Sequence, residues 1–434
     1  MKKKLVAMAL TVAMVASMAA CGGGSGDTTQ KSGSGSSSGS SDGDVTITVF
    51  NSKPEIQDQF EAMAEKYKEK TGVTVEVYGK GSDTVASQLA TKYAANDPYT
   101  IAMMDPTDVY GLAGEYGEDL SNEKWVENTD YAISVDGKVV GFPFCLEGRG
   151  LIYNADAIEK ITGETFDPSK YQTLDEFKSL LDELVKGGME APVGIMKEDW
   201  SLSVHFLGET YEQEEDTDAA VDKLLSGSAD LANNEKFNSL MDTFDVLKEY
   251  NYAADSPVAA EREVSEQKLA EGEIGFMFGG NWDWSMINQY EYTENMGMMP
   301  VPQNTSDDTN TKLVGGGTKF MMIDNSSDTS DEQRQAAKDF LNWLVSDADG
   351  NSFLSEECAV VPAFSNIEAK SLDPLSTSVK SYADAGNMIA AYDHNPDDFI
   401  TECGGIMQKY LAGKIDRAGL ASELEGYWSK AKIN

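Results

Sequence analysis

The sequence predicts an α/β fold in two domains, and three observations predict it. Short runs of alternating apolar and polar residues read as strands, and stretches of helical period separate those runs. The length of 434 residues also exceeds one ordinary core and suits two domains of about 150 to 200 residues.

Val45, Ile47 and Val49 alternate with Thr46 and Thr48, which gives a strand with one buried face. Pro54, with Glu55 and Asp58 in the first turn, opens a helix carrying Phe60, Met63, Ala64 and Tyr67, and Thr71-Gly72 stops it. Val73, Val75 and Val77 make the second strand of a β-α-β unit, whose crossover makes the strands parallel. A helix over Val85, Ala86, Leu89 and Tyr93 follows, then an apolar strand from Ile101 to Met104 that ends at Asp105-Pro106. Asp136-Gly137 suits a type I′ hairpin turn. Thr173 and Glu176 form a capping box before Leu174, Phe177, Leu180, Leu181 and Leu184. Further helices carry Phe237, Leu240, Met241, Phe244 and Leu247, and then Ala337, Phe340, Leu341 and Leu344. Strands interleaved with helices imply mostly parallel sheets, whose ligands collect beyond the carboxyl ends of the strands. The loops Phe50-Asn51-Ser52-Lys53 and Asp105-Pro106-Thr107-Asp108 sit at such ends.

The composition narrows the function. With 34 Lys and Arg against 74 Asp and Glu, the net charge of −40 repels phosphate backbones and anionic lipid headgroups, which excludes nucleic acid as a partner. Cys21, Cys145, Cys358 and Cys403 show no metal-ligand spacing, and no disulfide framework holds the chain; whether Cys358 and Cys403 pair is not legible. No H-E-x-x-H and no P-loop occurs, and the folded part has no G-x-S-x-G elbow. His205 and His394 stand far apart, without a motif partner. Asp324, Ser326, Asp328 and Glu332 only mimic a calcium loop, because Thr329 and Gln335 stand where Gly and Glu are required; a capped helix start explains them better. No cofactor or metal is expected.

The N-terminus carries an address. Lys2, Lys3 and Lys4 precede an apolar stretch from Leu5 to Ala20, and Met18-Ala19-Ala20-Cys21 closes it. The segment resembles a bacterial lipoprotein signal, with Met18 where Leu is usual. That implies cleavage after residue 20 and lipid on Cys21, so that residues 22–43, dominated by Gly and Ser, become a tether of about 25 Å root-mean-square span.

Several segments together resemble the extracellular solute-binding proteins of ATP-driven sugar importers, the maltose-binding-protein relatives. They are ITVFNSKPEIQDQFEAMAEKYKEKTGVTVEV, GKVVGFPFCLEGRGLIYNADAIEK, KLAEGEIGFMFGGNWDWSMI, MMPVP, KLVGGGTKFMMIDNSSD and AAKDFLNWLVS, in the family's order. The resemblance implies a two-lobed periplasmic-binding-protein-like fold of type II, with discontinuous lobes, a hinge and a ligand cleft. The first lobe would be 44–147 plus 312–346 and the second 148–304 plus 347–434, with hinges near Glu147-Gly148 and Asn304–Thr311. It implies a monomer that hands its ligand to membrane permease subunits from the extracytoplasmic face.

It also implies a site. Trp282 takes the place of a tryptophan that stacks on a sugar ring, where a flat indole meets the C–H face of a pyranose. Glu147 takes the place of a glutamate at the lobe crossing that accepts sugar hydroxyls, with Arg149 near enough to orient it. Asp105, Asn51, Ser52 and Lys53 are the first-lobe candidates, and Trp200 is an aromatic of the second. Trp284 is a further ligand-binding candidate, although at alternating spacing in a strand the two indoles would face opposite ways and only one would meet ligand. Phe142 and Phe144 are expected to pack beneath the hairpin, and Gly315-Gly316-Gly317 to permit close backbone approach. A polyamine or peptide cargo on the same fold is the alternative, and a surface glycoside hydrolase stands behind it.

Overall fold

The computed structural model describes residues 45–433, so the signal, Cys21 and the tether lie outside the described residues. The chain runs β1 (Thr46–Asn51), α1 (Gln57–Thr71), β2 (Thr74–Gly79), α2 (Val85–Ala94), β3 (Ile101–Met104), α3 (Pro106–Tyr116), β4 (Ile133–Val135) and β5 (Lys138–Asn154). Then come α4 (Ala155–Thr162), α5 (Leu174–Lys186), β6 (Val193–Gly194), α6 (Glu209–Glu212), α7 (Thr217–Leu225), α8 (Glu235–Glu249), α9 (Arg262–Ala270) and β7 (Phe276–Gly280). The last third adds α10 (Trp284–Ile287), β8 (Met296–Met299), β9 (Leu313–Ile323), α11 (Asp331–Ser346), α12 (Ala348–Ser352), α13 (Pro374–Asp384), β10 (Met388–Ala390), α14 (Phe399–Leu411) and α15 (Arg417–Trp428).

The opening β-α-β unit forms as its periodicity predicts. β1 pairs parallel with β2 and β3, and α1 ends at Gly72 in the left-handed conformation, with φ of 80°. The hairpin turns on Asp136 and Gly137, both at positive φ, as a type I′ turn requires. The Thr173–Glu176 capping box is complete in both directions. Asp324 accepts from Ser326 and Thr329, and Ser330 caps α11, so the calcium-like stretch is a helix entry.

The sheet is mixed rather than mostly parallel. Its order is β2-β1-β3-β9-β5-β7-β6, and every antiparallel pair involves β5 or β9. The reason lies in the 17-residue β5, which is buried almost throughout. It pairs with β9 over Phe142–Arg149 and with β7 and β8 over Arg149–Asn154, so it passes from one half of the molecule into the other. Glycine permits the tight crossing: a Cβ on Gly150 would meet the Met299 carbonyl at 2.4 Å, and one on Gly315 the Glu147 carbonyl at 2.3 Å.

Three apolar clusters form the core. The largest joins Phe60, Phe144, Phe340 and Phe353 and continues across the crossing to Met298 and Val379; Phe142 and Phe144 are fully buried in it. A second gathers Phe177, Phe237, Phe244, Phe276 and Trp428, and a smaller third packs Phe50, Leu89, Met104 and Phe320. Residues 347–367, grouped with the second lobe from the sequence, pack on α1 instead. Phe353 lies edge-on to Phe60 at 4.9 Å, Lys66 pairs with Glu357, and Leu146 N donates to the Val361 carbonyl at 2.9 Å. Among the described residues no helix is long and apolar enough to cross a membrane.

Candidate ligand-binding cleft

The loop after β1 reaches the middle of β5 through Lys53 and Glu147, and Asp105 after β3 reaches Lys319 of β9, which pairs with Cys145 of β5. Lys53 there is buried, and its Nζ reaches Glu147 Oε1 and Glu55 Oε1 at 2.8 Å each. Glu147 Oε2 accepts from Thr318 Oγ1 at 2.6 Å. Burial opposes the Lys53 charge, but Glu147 and Glu55 hold its pKa well above the usual lysine value. Burial likewise pushes Glu147 up, while Lys53 and Thr318 pull it below the ordinary carboxylate range. Both oxygens of Glu147 thus already have protein donors. Asn51 spends its side chain on the backbone of Lys53, accepting from its N–H at 2.9 Å and donating to its carbonyl at 2.8 Å. Ser52 is buried, with no hydrogen-bond partner for its hydroxyl. Asp105 is exposed and forms an ion pair with Lys319.

The second half supplies the aromatic face. Trp282 and Trp284 do not alternate along a strand: β7 ends at Gly280, a single turn covers Asn281–Asp283, and Trp284 starts α10. The cause is Asp283, whose Oδ2 accepts the Gly280 N–H at 2.9 Å and turns the chain. Trp282 is half-buried, with His205 at 5.0 Å between ring centroids and Trp200 at 6.4 Å. His205 also meets Trp200, edge-on at 5.0 Å. Trp284 points elsewhere, onto Tyr292 at 5.1 Å, so the structure does not bring it to this group. Burial, then Arg149 and Arg262, hold the His205 pKa well below its ordinary value, which leaves a neutral ring between two indoles.

Arg149 does not orient Glu147. Its Nη2 reaches both oxygens of Glu212, at 2.6 and 2.5 Å, and its Nε donates to the His205 carbonyl at 2.9 Å. Glu147 already takes one donor on each oxygen, from Lys53 and Thr318, whereas Glu212 is a fully buried carboxylate that draws Nη2 onto both of its oxygens. Glu212 Oε1 in turn accepts the Tyr392 N–H at 2.8 Å and holds the segment bearing Asp393. Asp393 is half-buried, and burial lifts its pKa to about 8, with Arg149 acting the other way and Glu212 and Asp105 adding to the rise. Its carbonyl accepts from Thr107 Oγ1 at 2.6 Å, and Tyr110 stacks on His394 at 4.8 Å, which joins α3 to the segment after β10. A crevice of about 220 Å³ is lined by Thr210, Tyr211, Lys223 and Asn234 and by neither tryptophan, Glu147 nor Asp393.

His205, Thr318, Lys319 and Asp393 were not singled out as site residues by the sequence. The nearness of His205 to Trp200 in MKEDWSLSVHF was the one available signal.

Residues 62–386 match the family model described as bacterial extracellular solute-binding protein. The chain belongs to that family. Family membership places it on the extracytoplasmic side. The chain is 23% identical over 455 residues to the diacetylchitobiose-binding protein DasA of Streptomyces coelicolor, covering 99% of each. Among solved structures it is similar to RafE in complex with raffinose, at 18% identity and a TM-score of 0.72, over 89% of this chain and 99% of that one. It is also similar to the GacH receptor of Streptomyces glaucescens, at 15% identity and a TM-score of 0.70, over 89% of this chain and 97% of that one. The two-lobed, type II periplasmic-binding architecture of the solute-binding family is therefore the fold of this chain.

Proposed function

We propose that this solute-binding protein captures an oligosaccharide between its lobes and delivers it to the permease of an ATP-driven importer, with no chemistry of its own. The observation that carries the reading is the half-buried group Trp200, His205 and Trp282 set beside the crossing strand. Indoles offer flat apolar faces to sugar C–H groups. Ser52, Asp105 and Asp393 supply hydroxyl and carboxyl groups for the rim. The names of DasA and of the raffinose complex point the same way.

In this reading the first lobe is 44–147 with 312–367 and the second is 148–304 with 368–434. Moving 347–367 into the first lobe follows the packing of Phe353 on Phe60. Thr107–Asp393 and Tyr110–His394 then bridge the two lobes and hold them together. Cys21 carries the lipid that keeps the receptor near its permease.

A thermal-shift panel of raffinose, N,N′-diacetylchitobiose and malto-oligosaccharides tests the cargo, because any ligand bound only by the native state raises the melting temperature. Spermidine belongs in the panel, since Asp105, Asp108 and Asp393 crowd one region and burial with Asp105 lifts Asp108 to about 6. A response to spermidine and to no sugar would reassign the cargo. Trp282→Ala should weaken the best sugar by about tenfold or more in calorimetry with the melting temperature of the free chain kept. Unchanged affinity would remove Trp282 from the site.

A further inference from the structure

We infer that Arg262 is a positioning residue for the aromatic face, fixing the Trp200 ring directly and the Trp282 turn through Asp283. The inference rests on the sugar-binding reading only for its functional consequence; the geometry stands by itself.

Arg262 opens α9 and is absent from the segments that resemble the sugar-importer receptors. Its guanidinium carbon lies 4.4 Å from the centroid of the Trp200 ring. Nη1 forks onto Asp283, at 2.9 Å to Oδ1 and 3.1 Å to Oδ2, and Nη2 reaches Ser201 Oγ at 3.0 Å. The Asp283 side chain is 1% exposed, and the same Oδ2 holds the Gly280 N–H that turns the chain into Trp282. One planar cation therefore ties together the segment carrying Trp200, the turn carrying Trp282 and the start of α9. A single ring could be held by packing alone, but here each contact of the fork ends on a residue adjacent to a platform indole.

The surroundings explain why a cation stands there. Glu266, one turn along α9, is 2% exposed and lies against Asp283, and Glu198 Oε2 is 3.6 Å from Arg262 Nη2. Three carboxyl groups crowd one guanidinium, whose nitrogens meet Asp283 and Glu198 while its carbon lies against the Trp200 ring. A lysine in its place keeps the charge but loses the flat stack and the fork. An indole fixed before binding loses less freedom when a sugar lands on it, which is where the affinity arises.

The test compares Arg262→Lys, Arg262→Met and Arg262→Met/Asp283→Asn with the full chain, and the double variant removes both members of the buried pair. The ligand-free readout is the far-ultraviolet exciton couplet of the Trp200–Trp282 pair, defined by subtracting the spectrum of Trp200→Phe. Arg262→Lys should lose most of the couplet while melting near the parent, and should bind N,N′-diacetylchitobiose or raffinose, whichever the parent binds, about fivefold more weakly. A couplet equal to the parent in Arg262→Lys and in the double variant overturns the inference, including where the melting temperature falls, because Arg262 would then be structural only. Loss of the couplet in a chain whose parent binds neither sugar upholds the positioning and removes the sugar reading instead.

Discussion

Arg149→Met should lower the stability of the ligand-free chain by about 3–5 kcal/mol, the cost of breaking a buried ion pair from one side. Arg149 is 5% exposed, and its partner Glu212 has a fully buried side chain. The guanidinium does three things at once. It grips both oxygens of Glu212, it donates to the carbonyls of Val204 and His205, and through Glu212 it holds the Tyr392 N–H. The two carbonyls belong to a wide, π-type helical turn over Ser201–Leu207, which leaves backbone acceptors in need of outside donors. Burial raises the pKa of Glu212 even with Arg149 beside it. Methionine fills the volume and leaves the carboxylate with one backbone donor, so Glu212 must take up a proton or open the site to water. Urea unfolding at neutral pH measures the loss, with an unchanged slope as the sign that only stability moved. Arg149→Met/Glu212→Leu should recover most of it, since removing both charges removes the unpaired one. A single variant as stable as the parent would show that the pair contributes nothing.

How much of this was legible in the sequence follows from the range of each interaction. The opening β-α-β unit, the Asp136-Gly137 turn and the Thr173 cap are local, and the residues that decide them lie within a few positions of one another. Trp282 was expected on a strand and lies in a turn, because the Asp283 bond that bends the chain leaves no mark on the apolar period. The partners of Glu147 were hidden for a different reason. Lys53 lies 94 residues away and Thr318 lies 171 residues away, so nothing near Glu147 announces that both oxygens are occupied. Arg149 and Glu212 are 63 apart, and SLSVHFL carries no clean helical repeat because its turn is wider than 3.6 residues. Asp393 is one acid among 74 Asp and Glu, and only burial separates it from the rest.

Burial of acids also dictates how stability follows pH. Burial lifts Glu209 and Asp393 to about 8, Glu266 to about 9 and Asp108 to about 6. In the unfolded chain such groups release their protons near pH 4. Between about pH 5 and 8, then, the native state holds protons that the unfolded state has lost, and stability must fall as pH rises through that window. The fall ends once pH passes the folded value of about 9 for Glu266. His205 works the other way. It is buried neutral, so unfolding takes up a proton below its ordinary value near 6.5 and stability rises with pH there, but it is one group against several acids. Acids whose hydrogen bonds lower them, such as Asp156 and Asp347, titrate below the window and do not tilt it. The net charge of −40 adds self-repulsion of the same sign as pH climbs. Scanning calorimetry should therefore show a melting temperature that is highest near pH 5 and declines steadily to pH 8.5. Glu209→Gln/Glu266→Gln/Asp393→Asn should flatten that decline, because amides carry no proton to release. A parent that melts higher at pH 8 than at pH 5 would mean that these carboxyls are ionised in the folded chain.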